Sequence, residues 1–489
     1  MISFKQLLES IDNVTVMHDI NCEIRDVCYD SRKASEGSVF VALNGINTDG
    51  VRYIFDAIDS GATAVVTNRF IEGIPENIAY AVAKDTREAL GKFSSLLFGN
   101  PSKDLKLIGI TATSGKTTVS HIVYSILNVA GYLTGLIGTI NMRVGKEIID
   151  STHTTPQSRE LQEIFSKMVE TDTKACVMEV SSHSLDQSRV TATDFDVVAF
   201  LNVSRDHLDY HKTVENYKNA KLKLFTKYSS NKTVAVVNTD DLFSKNILSS
   251  CKSKVITFSA KDTNADVYAT DSHISGNYVK FVLNIAGDKT DITFNMGGEF
   301  NIYNALAAAS ITYAMGISIE DIKKGIEVCK PVTGRFESIP NEKNISVIVD
   351  YAHTPDELEK VLESAKRITK DRIIVVFGCG GNRDSGKRPI MGMIATRNAD
   401  YAIITSDNPR FEDPNLIIDQ IYEGIEPEYN SKTWREPRRY KAIEKAITMA
   451  HSGDVIILAG KGHETYQEIK GERFDFDDSK VARIILDNL

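Results

Sequence analysis

The sequence has no excess of basic residues: 57 Lys and Arg stand against 66 Asp and Glu, a net charge of −9 over 489 residues. A nucleic-acid surface needs the opposite balance, so nucleic acid is not an expected partner, whereas a small anionic ligand needs only a local cluster of donors. Cysteine is sparse. Its six copies (Cys22, Cys28, Cys176, Cys251, Cys329 and Cys379) form no C-x-x-C pair and no metal-like spacing, which excludes a disulfide framework and points to reduced cytosolic thiols. No apolar run approaches the ~18 residues of a membrane span. The opening stretch MISFKQLLESIDNV alternates polar and apolar residues and has no signal-peptide core. Internal repeats and low-complexity tracts are also missing. The expectation is a cytoplasmic protein without a membrane span.

What is present is the composition of an ordinary globular chain, 42% hydrophobic and 25% charged, and long enough for about three domains. Short β-branched runs, apolar on both faces, recur along it: SVFVAL, TAVV, LKLIGI, KACVMEV, DVVAFLNV, TVAVVN, ISVIVDYA, RIIVVFG, YAIITS and DVIILAG. Between them lie helical patterns such as VSHIVYSILNVAG, NIYNALAAASITYAMG and TPDELEKVLESAKRI. This alternation predicts α/β architecture with mostly parallel sheets. The stretch from Asp266 to Met296 departs from it and reads as antiparallel hairpins. FGNPSKD (Phe98 to Asp104) and CKPVTGRFE (Cys329 to Glu337) read as boundaries, giving domains 1–100, 101–332 and 333–489.

The stretch IGITATSGKTT lacks the first glycine of G-x-x-x-x-G-K-[ST]; that position is Ile110. Its setting is still that of a phosphate loop, because LKLIGI reads as a strand and the segment after it as a helix, whose N-terminal N–H groups favour phosphate oxygens. Gly115 allows close approach, Lys116 supplies charge and Thr117 offers a hydroxyl to Mg²⁺; Thr113, Ser114 and Thr118 complete the loop. The competing reading is a polar turn with a solvated lysine. Downstream, an apolar strand ends at Glu179, followed by Ser181, Ser182 and His183. A second strand ends in Asn202, Arg205, Asp206, His207 and His211. Polar clusters at adjacent strand ends are where a doubly wound sheet binds ligands, and a carboxylate there can hold a bridging Mg²⁺.

Together these segments resemble the Mur ligases, ATP-dependent amide ligases of peptidoglycan stem-peptide assembly. TATSGKTT is similar to the family loop TGTNGKTT, with Ala112 and Ser114 as departures. MEVSSHSL, NVSRDHLDYH, YKNAKLKLF, GEFNIYNALAA, GRFE and DYAHTPD follow in order, so the resemblance spans essentially the whole chain. YDSR, STHTTPQS, FGCGGNRDSGKRPIMG, TSDNPRFEDP and GKGHETYQ resemble the branch that adds the third stem residue. DNPR (Asp407 to Arg410) is associated there with meso-diaminopimelate, whose second carboxylate an arginine fork can pair; L-lysine-adding relatives usually differ at the position of Arg410.

The resemblance implies a three-domain fold: a UDP-binding α/β domain, a central ATPase domain and a C-terminal Rossmann-like domain. It implies that Ser31, Asp49, Gly50, Thr154, Thr155, Ser181, Gln187 and Arg189 contact the UDP-sugar peptide. Asn301, Asn304, Arg335, Asp350 and His353 would join the loop at ATP, and Arg383, Asp407, Asn408, Arg410, Gly460 and Glu464 would hold the amino acid. Lys221 would carry a CO₂-derived carbamate (N6-carboxylysine) that helps hold the second of two Mg²⁺, with Thr117, Glu179 and His207 as the other ligands. Lys116, Glu179, His207 and Lys221 are therefore the expected catalytic group. Each role has a local alternative: a turn cap at Ser31, an N-cap at Asn301, a structural pair at Arg189 and a solvated helix face at Lys221. Asn382 replaces the aspartate usual after the glycines. No side chain is an obvious general base, with His207, His353 and solvent as alternatives. The implied partners are small molecules only, acting on a monomer. A nucleotide-driven switch or transport ATPase is the different-class alternative; it leaves the third-domain motifs unexplained.

Overall fold

The computed structural model describes residues 2–45, 48–369 and 371–489. Among the described residues three large sheets, built mainly from the both-faces-apolar runs, stand beside two small two-stranded ones. The first has the order Val14–His18, Ala79–Ala83, Ala64–Thr67, Ser38–Val41 and Asp26–Cys28, parallel except at its Val14–His18 edge. The central sheet has eleven strands. Its pairings from Thr134–Ile137 across Ala175–Glu179, Lys106–Thr111, Val197–Phe200, Val234–Asn238 and Lys254–Ser259 to Val267–Ile274 are parallel, and antiparallel hairpins extend both ends. The hairpin expected near Asp266 to Met296 is one of these extensions. The third sheet runs Glu337–Ile339, Ser346–Asp350, Val455–Ala459, Ile373–Phe377, Tyr401–Ile404 and Thr433–Arg435, parallel except for its first pair.

The central strands are buried because helices cover both faces. The helix Lys116–Val129 packs beneath the alanine-rich Phe300–Ala314 and against Ile319–Glu327. At Gly325 a Cβ would come within 2.4 Å of Ile126 Cα, so glycine sets the closeness of that helix crossing. The carboxyl ends of the central strands point at the third domain, and contacts cross between them: Ser204 Oγ donates to Asp356 Oδ2 (2.9 Å) and Arg367 pairs with Glu299 (2.6 Å). Arg159 fastens the first domain, donating to the Val27 carbonyl (3.0 Å) and Asp26 Oδ1 (2.9 Å).

The third domain holds a fully buried ion pair. Arg439 donates to both Asp478 oxygens (2.7 and 2.5 Å) and to the Ala459 carbonyl (2.9 Å), at the end of the strand that leads into the Gly460 turn. Asp478→Ala would strand a buried guanidinium. It is expected to cost about 3–5 kcal/mol, read as a lower urea midpoint.

Candidate active site

The phosphate loop follows the central strand Lys106–Thr111, and Gly115 (φ 90°) turns it into the helix Lys116–Val129. Ala112 has no positive φ, so the departure from glycine there carries no backbone strain. Ser114 is tied to Asn202, whose Oδ1 accepts from Ser114 N at 3.0 Å and whose Nδ2 donates to Ser114 O at 3.0 Å. Lys116 Nζ donates to the carbonyls of Ala112 (2.8 Å) and Thr113 (3.0 Å), and burial holds its ammonium below the usual lysine range. The solvated-lysine alternative does not describe this geometry.

Glu179 is fully buried at the end of its strand, in register with Ile110. Its carboxylate accepts from Thr117 Oγ1 (3.1 Å), Thr139 N (2.8 Å) and Thr139 Oγ1 (2.9 Å). Thr139 was not among the sequence candidates, although it too follows a central strand, Thr134–Ile137. It also meets Thr154 Oγ1 at 3.1 Å, linking Glu179 to the expected peptide-contact segment. His207 Nε2 lies 3.3 Å from Asp206 Oδ2, and burial holds its imidazole down at about 3 despite that neighbour. It is therefore neutral at ordinary pH, the form that ligates metals.

Lys221 is 1% exposed, in the helix Val214–Thr226. The reading of a solvated helix face is corrected here, because Lys221 occupies the buried stripe with Tyr217, Leu224 and Phe225. Its Nζ donates to the Ala112 carbonyl (2.7 Å) and sits 4.5 Å from the Tyr217 ring centre. Burial and then the Lys116 charge push it well below the lysine range. Among the described residues no group of three His, Cys, Asp or Glu side chains converges as a metal site. The hydroxyl of Thr117 beside the Glu179 carboxylate nevertheless has the hard-oxygen chemistry that Mg²⁺ takes, and a buried lysine without a carboxylate partner suits conversion to an anion. The residues fit the implied groups in donor type.

Two cavities flank this centre. One, of 450 Å³, is bounded by Ser114, Gly115 and Thr118 on the loop side, by Asn304, and by Arg335 and Asp350 of the third domain. Asn301 stands behind Asn304 and orients it, accepting from Asn304 Nδ2 at 2.8 Å. The N-cap alternative for Asn301 is corrected: Glu299 is the cap position and Asn301 lies buried inside the helix. Arg335 Nη2 reaches Thr117 Oγ1 at 3.4 Å, and its guanidinium stacks 4.6 Å over Tyr351. Asp350 accepts from Phe336 N (2.7 Å) and Ala352 N (2.8 Å), yet burial raises its carboxyl to about 6. His353 lines the other cavity, apart from these ATP-side residues.

The second cavity, of 1060 Å³, gathers Thr154, Thr155, Ser181, Arg189 and His207 from the central domain. Opposite them stand all six expected amino-acid contacts: Arg383, Asp407, Asn408, Arg410, Gly460 and Glu464. Arg189 donates to Gln187 Oε1 (2.8 and 3.1 Å) and the Thr155 carbonyl (2.9 Å), so it is both structurally paired and cavity-lining. Arg410, at φ 52°, is held by the Gly381 carbonyl (2.8 Å) and Glu468 Oε2 (3.4 Å). Asn382 also has positive φ (53°), a conformation asparagine tolerates, and its Oδ1 accepts from Phe411 N (3.1 Å). Ser31, Asp49 and Gly50 line neither large cavity. Asp30, not Ser31, caps the Ser31–Lys33 turn, and Asp49 pairs with Arg69 (2.6 Å) while capping Gly50–Tyr53.

Behind the second cavity His211 is buried with Nε2 3.0 Å from Ser182 Oγ; burial first, then the His183 charge, hold it down at about 4. A histidine pKa depressed on folding contributes stability that is complete above 6.5 and lost as pH falls toward 4, up to about 3 kcal/mol. His211→Gln is expected to flatten the stability–pH curve in that window relative to wild type, measured by urea unfolding.

Three family descriptions match in order: Mur ligase family, catalytic domain (residues 23–95), Mur ligase middle domain (110–312), and Mur ligase, glutamate ligase domain (334–462). The UDP-N-acetylmuramoyl-L-alanyl-D-glutamate–2,6-diaminopimelate ligase of Clostridium perfringens is 44% identical over 99% of both chains. The enzyme of that name from Caldanaerobacter subterraneus is 44% identical over 96% of this chain and 97% of its own. A solved structure of a ligase of that name superposes with a TM-score of 0.71 at 30% identity, covering 100% of this chain and 99% of its own. With sequence similarity over its full length, the loop, the strand-end carboxylate and the three-sheet frame, the chain belongs to the Mur ligase family.

Proposed function

We propose that this chain is an ATP-dependent amide ligase. It joins meso-2,6-diaminopimelate to the D-Glu γ-carboxylate of UDP-N-acetylmuramoyl-L-Ala-D-Glu, in cytoplasmic peptidoglycan precursor synthesis. The observation that carries the reading is the 1060 Å³ cavity, where Thr154, Thr155 and Arg189 face Asp407, Arg410 and Glu464, and whose lining residue Thr139 connects through Glu179 to Thr117 of the phosphate loop. An acyl donor bound on one wall and an amine on the other would meet next to the γ-phosphate. The domains act as 1–100 for the UDP moiety, 101–332 for ATP and 333–489 for the amino acid, in a monomer.

A carboxylate is a poor electrophile, and phosphorylation by ATP turns one of its oxygens into a leaving group. The amine attacks the acyl phosphate, the tetrahedral intermediate expels phosphate, and the amide remains. Gly115 and the helix N-terminus cradle the phosphates, and Lys116 neutralises charge on the transferring group. Mg²⁺ held at Thr117, Glu179, His207 and carbamylated Lys221 would supply further charge neutralisation there. Asn304 packs against Gly115, its Oδ1 within 2.7 Å of a Cβ position there, so it borders the nucleotide. Arg335, reaching Thr117 from the third domain, couples closure to the phosphate site, and closure shields the acyl phosphate from water. Glu464 receives an ammonium while Arg383 and Arg410 take carboxylates, which separates the charges of the incoming zwitterion.

The test is phosphate release with ATP, Mg²⁺ and the UDP-linked dipeptide, comparing meso-diaminopimelate with L-lysine. Turnover with meso-diaminopimelate alone is expected. Turnover with L-lysine would overturn the role of Arg410 while keeping the ligase chemistry, and turnover with neither would overturn the function.

A further inference from the structure

Lys461 is fully buried, and no step of the reaction above uses it. It lies in the turn after the strand Val455–Ala459, between Gly460 and Gly462, whose φ values are 111° and 51°. Its ammonium donates to Glu464 Oε2 (3.0 Å) and Asn408 Oδ1 (3.2 Å), and stands 5.6 Å from the Tyr466 ring centre. Asn408 closes the triangle. Its Nδ2 donates to the same Glu464 Oε2 at 2.8 Å, and its Oδ1 also accepts from Glu468 N at 3.0 Å. One oxygen of Glu464 thus takes both donors. Among the described residues Oε1 receives none, and Glu464 lines the large cavity.

We propose that Lys461 is a positioning residue of the amino-acid subsite, locking Glu464 and Asn408 into one unit that presents Glu464 Oε1 to the ammonium of the incoming amino acid. The inference rests on the amino-acid reading of this subsite. An exposed lysine–carboxylate pair has little grip on either side chain, but an ammonium without access to water must keep its carboxylate and amide partners in place. The asparagine orientation follows from the same network, since its oxygen meets two donors and its nitrogen meets a carboxylate. Glu464 is therefore preorganised, so binding the amine spends nothing on ordering it. The other ionisable groups around the pair are Asp407, Arg410, Arg439, Glu468 and Arg473, with His463 held neutral by burial.

The experiment compares wild type, Lys461→Met, Glu464→Gln and the double variant. The acceptor is whichever of meso-diaminopimelate and L-lysine the wild type turns over better, so a wrong acceptor assignment shows in the wild-type comparison and leaves this test intact. Lys461→Met is expected to raise KM for the acceptor by about tenfold to a hundredfold. KM for ATP and for the UDP-linked dipeptide should stay within about twofold, because neither ligand touches this subsite. The double variant carries no stranded carboxylate and so keeps the test available if the single variant unfolds; its acceptor KM should match that of Glu464→Gln alone. Additive effects in the double variant or an equal rise in all three KM values would each overturn the proposal.

Discussion

Replacing Lys116 by methionine is expected to lower phosphate release by about 10³-fold or more while leaving the fold intact. The ammonium stands at the N-terminus of the helix Lys116–Val129, folded back over the loop by the carbonyls of Ala112 and Thr113. It is the one positive side chain contributed by the loop TATSGKTT itself. In phosphoryl transfer the protein contributes mainly position and charge, so removing that charge removes stabilisation present most strongly in the transition state. The effect should therefore fall on kcat more than on KM for ATP. Lys116→Arg should not restore the rate, because a planar fork cannot take the place of a compact point charge between two carbonyls. The side chain is half-buried, so the melting temperature should move little. A methionine variant that kept a tenth of the wild-type rate would sink the assignment of Lys116 to the phosphate.

The strands and the loop were legible because burial on both faces leaves no polar alternation: Ala175–Glu179 and Val197–Phe200 are buried throughout and read as apolar runs, the first broken only at its last residue, Glu179. The edge strand Val14–His18 was not read, because three of its five residues are exposed and its sequence carries no such run. Strand-end logic found Glu179 but stopped short of Thr139, which obeys the same rule from the neighbouring strand. The solvated-face alternative at Lys221 rests on residue type alone, although the spacing from Tyr217 and Leu224 places the lysine on the buried stripe of its helix. The cap alternative at Asn301 rests on its position before an alanine-rich run, whereas the helix starts at Phe300 with Glu299 as its cap and buries Asn301. Lys461 was hidden for a different reason. Its partners Asn408 and Glu464 come from separate strand ends, and no local pattern announces that a lysine between two glycines is enclosed. At Ser31, Asp49 and Gly50 the short turns are self-contained, so the sequence there registers local capping as strongly as any ligand.

Lys221→Ala is expected to reduce turnover by about 10³-fold, and Lys221→Glu to retain more activity than Lys221→Ala. Lys221 Nζ has the Ala112 carbonyl at 2.7 Å and the Tyr217 ring face, no carboxylate within ion-pairing distance among the described residues, and the Lys116 charge raising the cost of its own. An ammonium is poorly accommodated there, which favours the neutral amine, and a neutral amine is the nucleophile that adds CO₂. The addition forms an N–C bond and releases one proton, leaving a carbamate anion. Its N–H could keep the bond to the Ala112 carbonyl, and the carboxylate would reverse the sign of the charge beside Lys116 and supply hard oxygen donors for Mg²⁺. Because a proton is released, carbamate is favoured by higher pH and lost at lower pH. Wild-type enzyme held in CO₂-free buffer at about pH 6 should therefore lose activity and regain it with bicarbonate at about pH 8. Lys221→Glu, which carries its carboxylate permanently, should not respond. Isotope-labelled bicarbonate should give a protein-bound carbonyl resonance in wild type that is missing from Lys221→Ala. Wild-type activity indifferent to CO₂ removal, together with no such resonance, would leave Lys221 a buried structural amine and return the burden of metal binding to Thr117, Glu179 and His207.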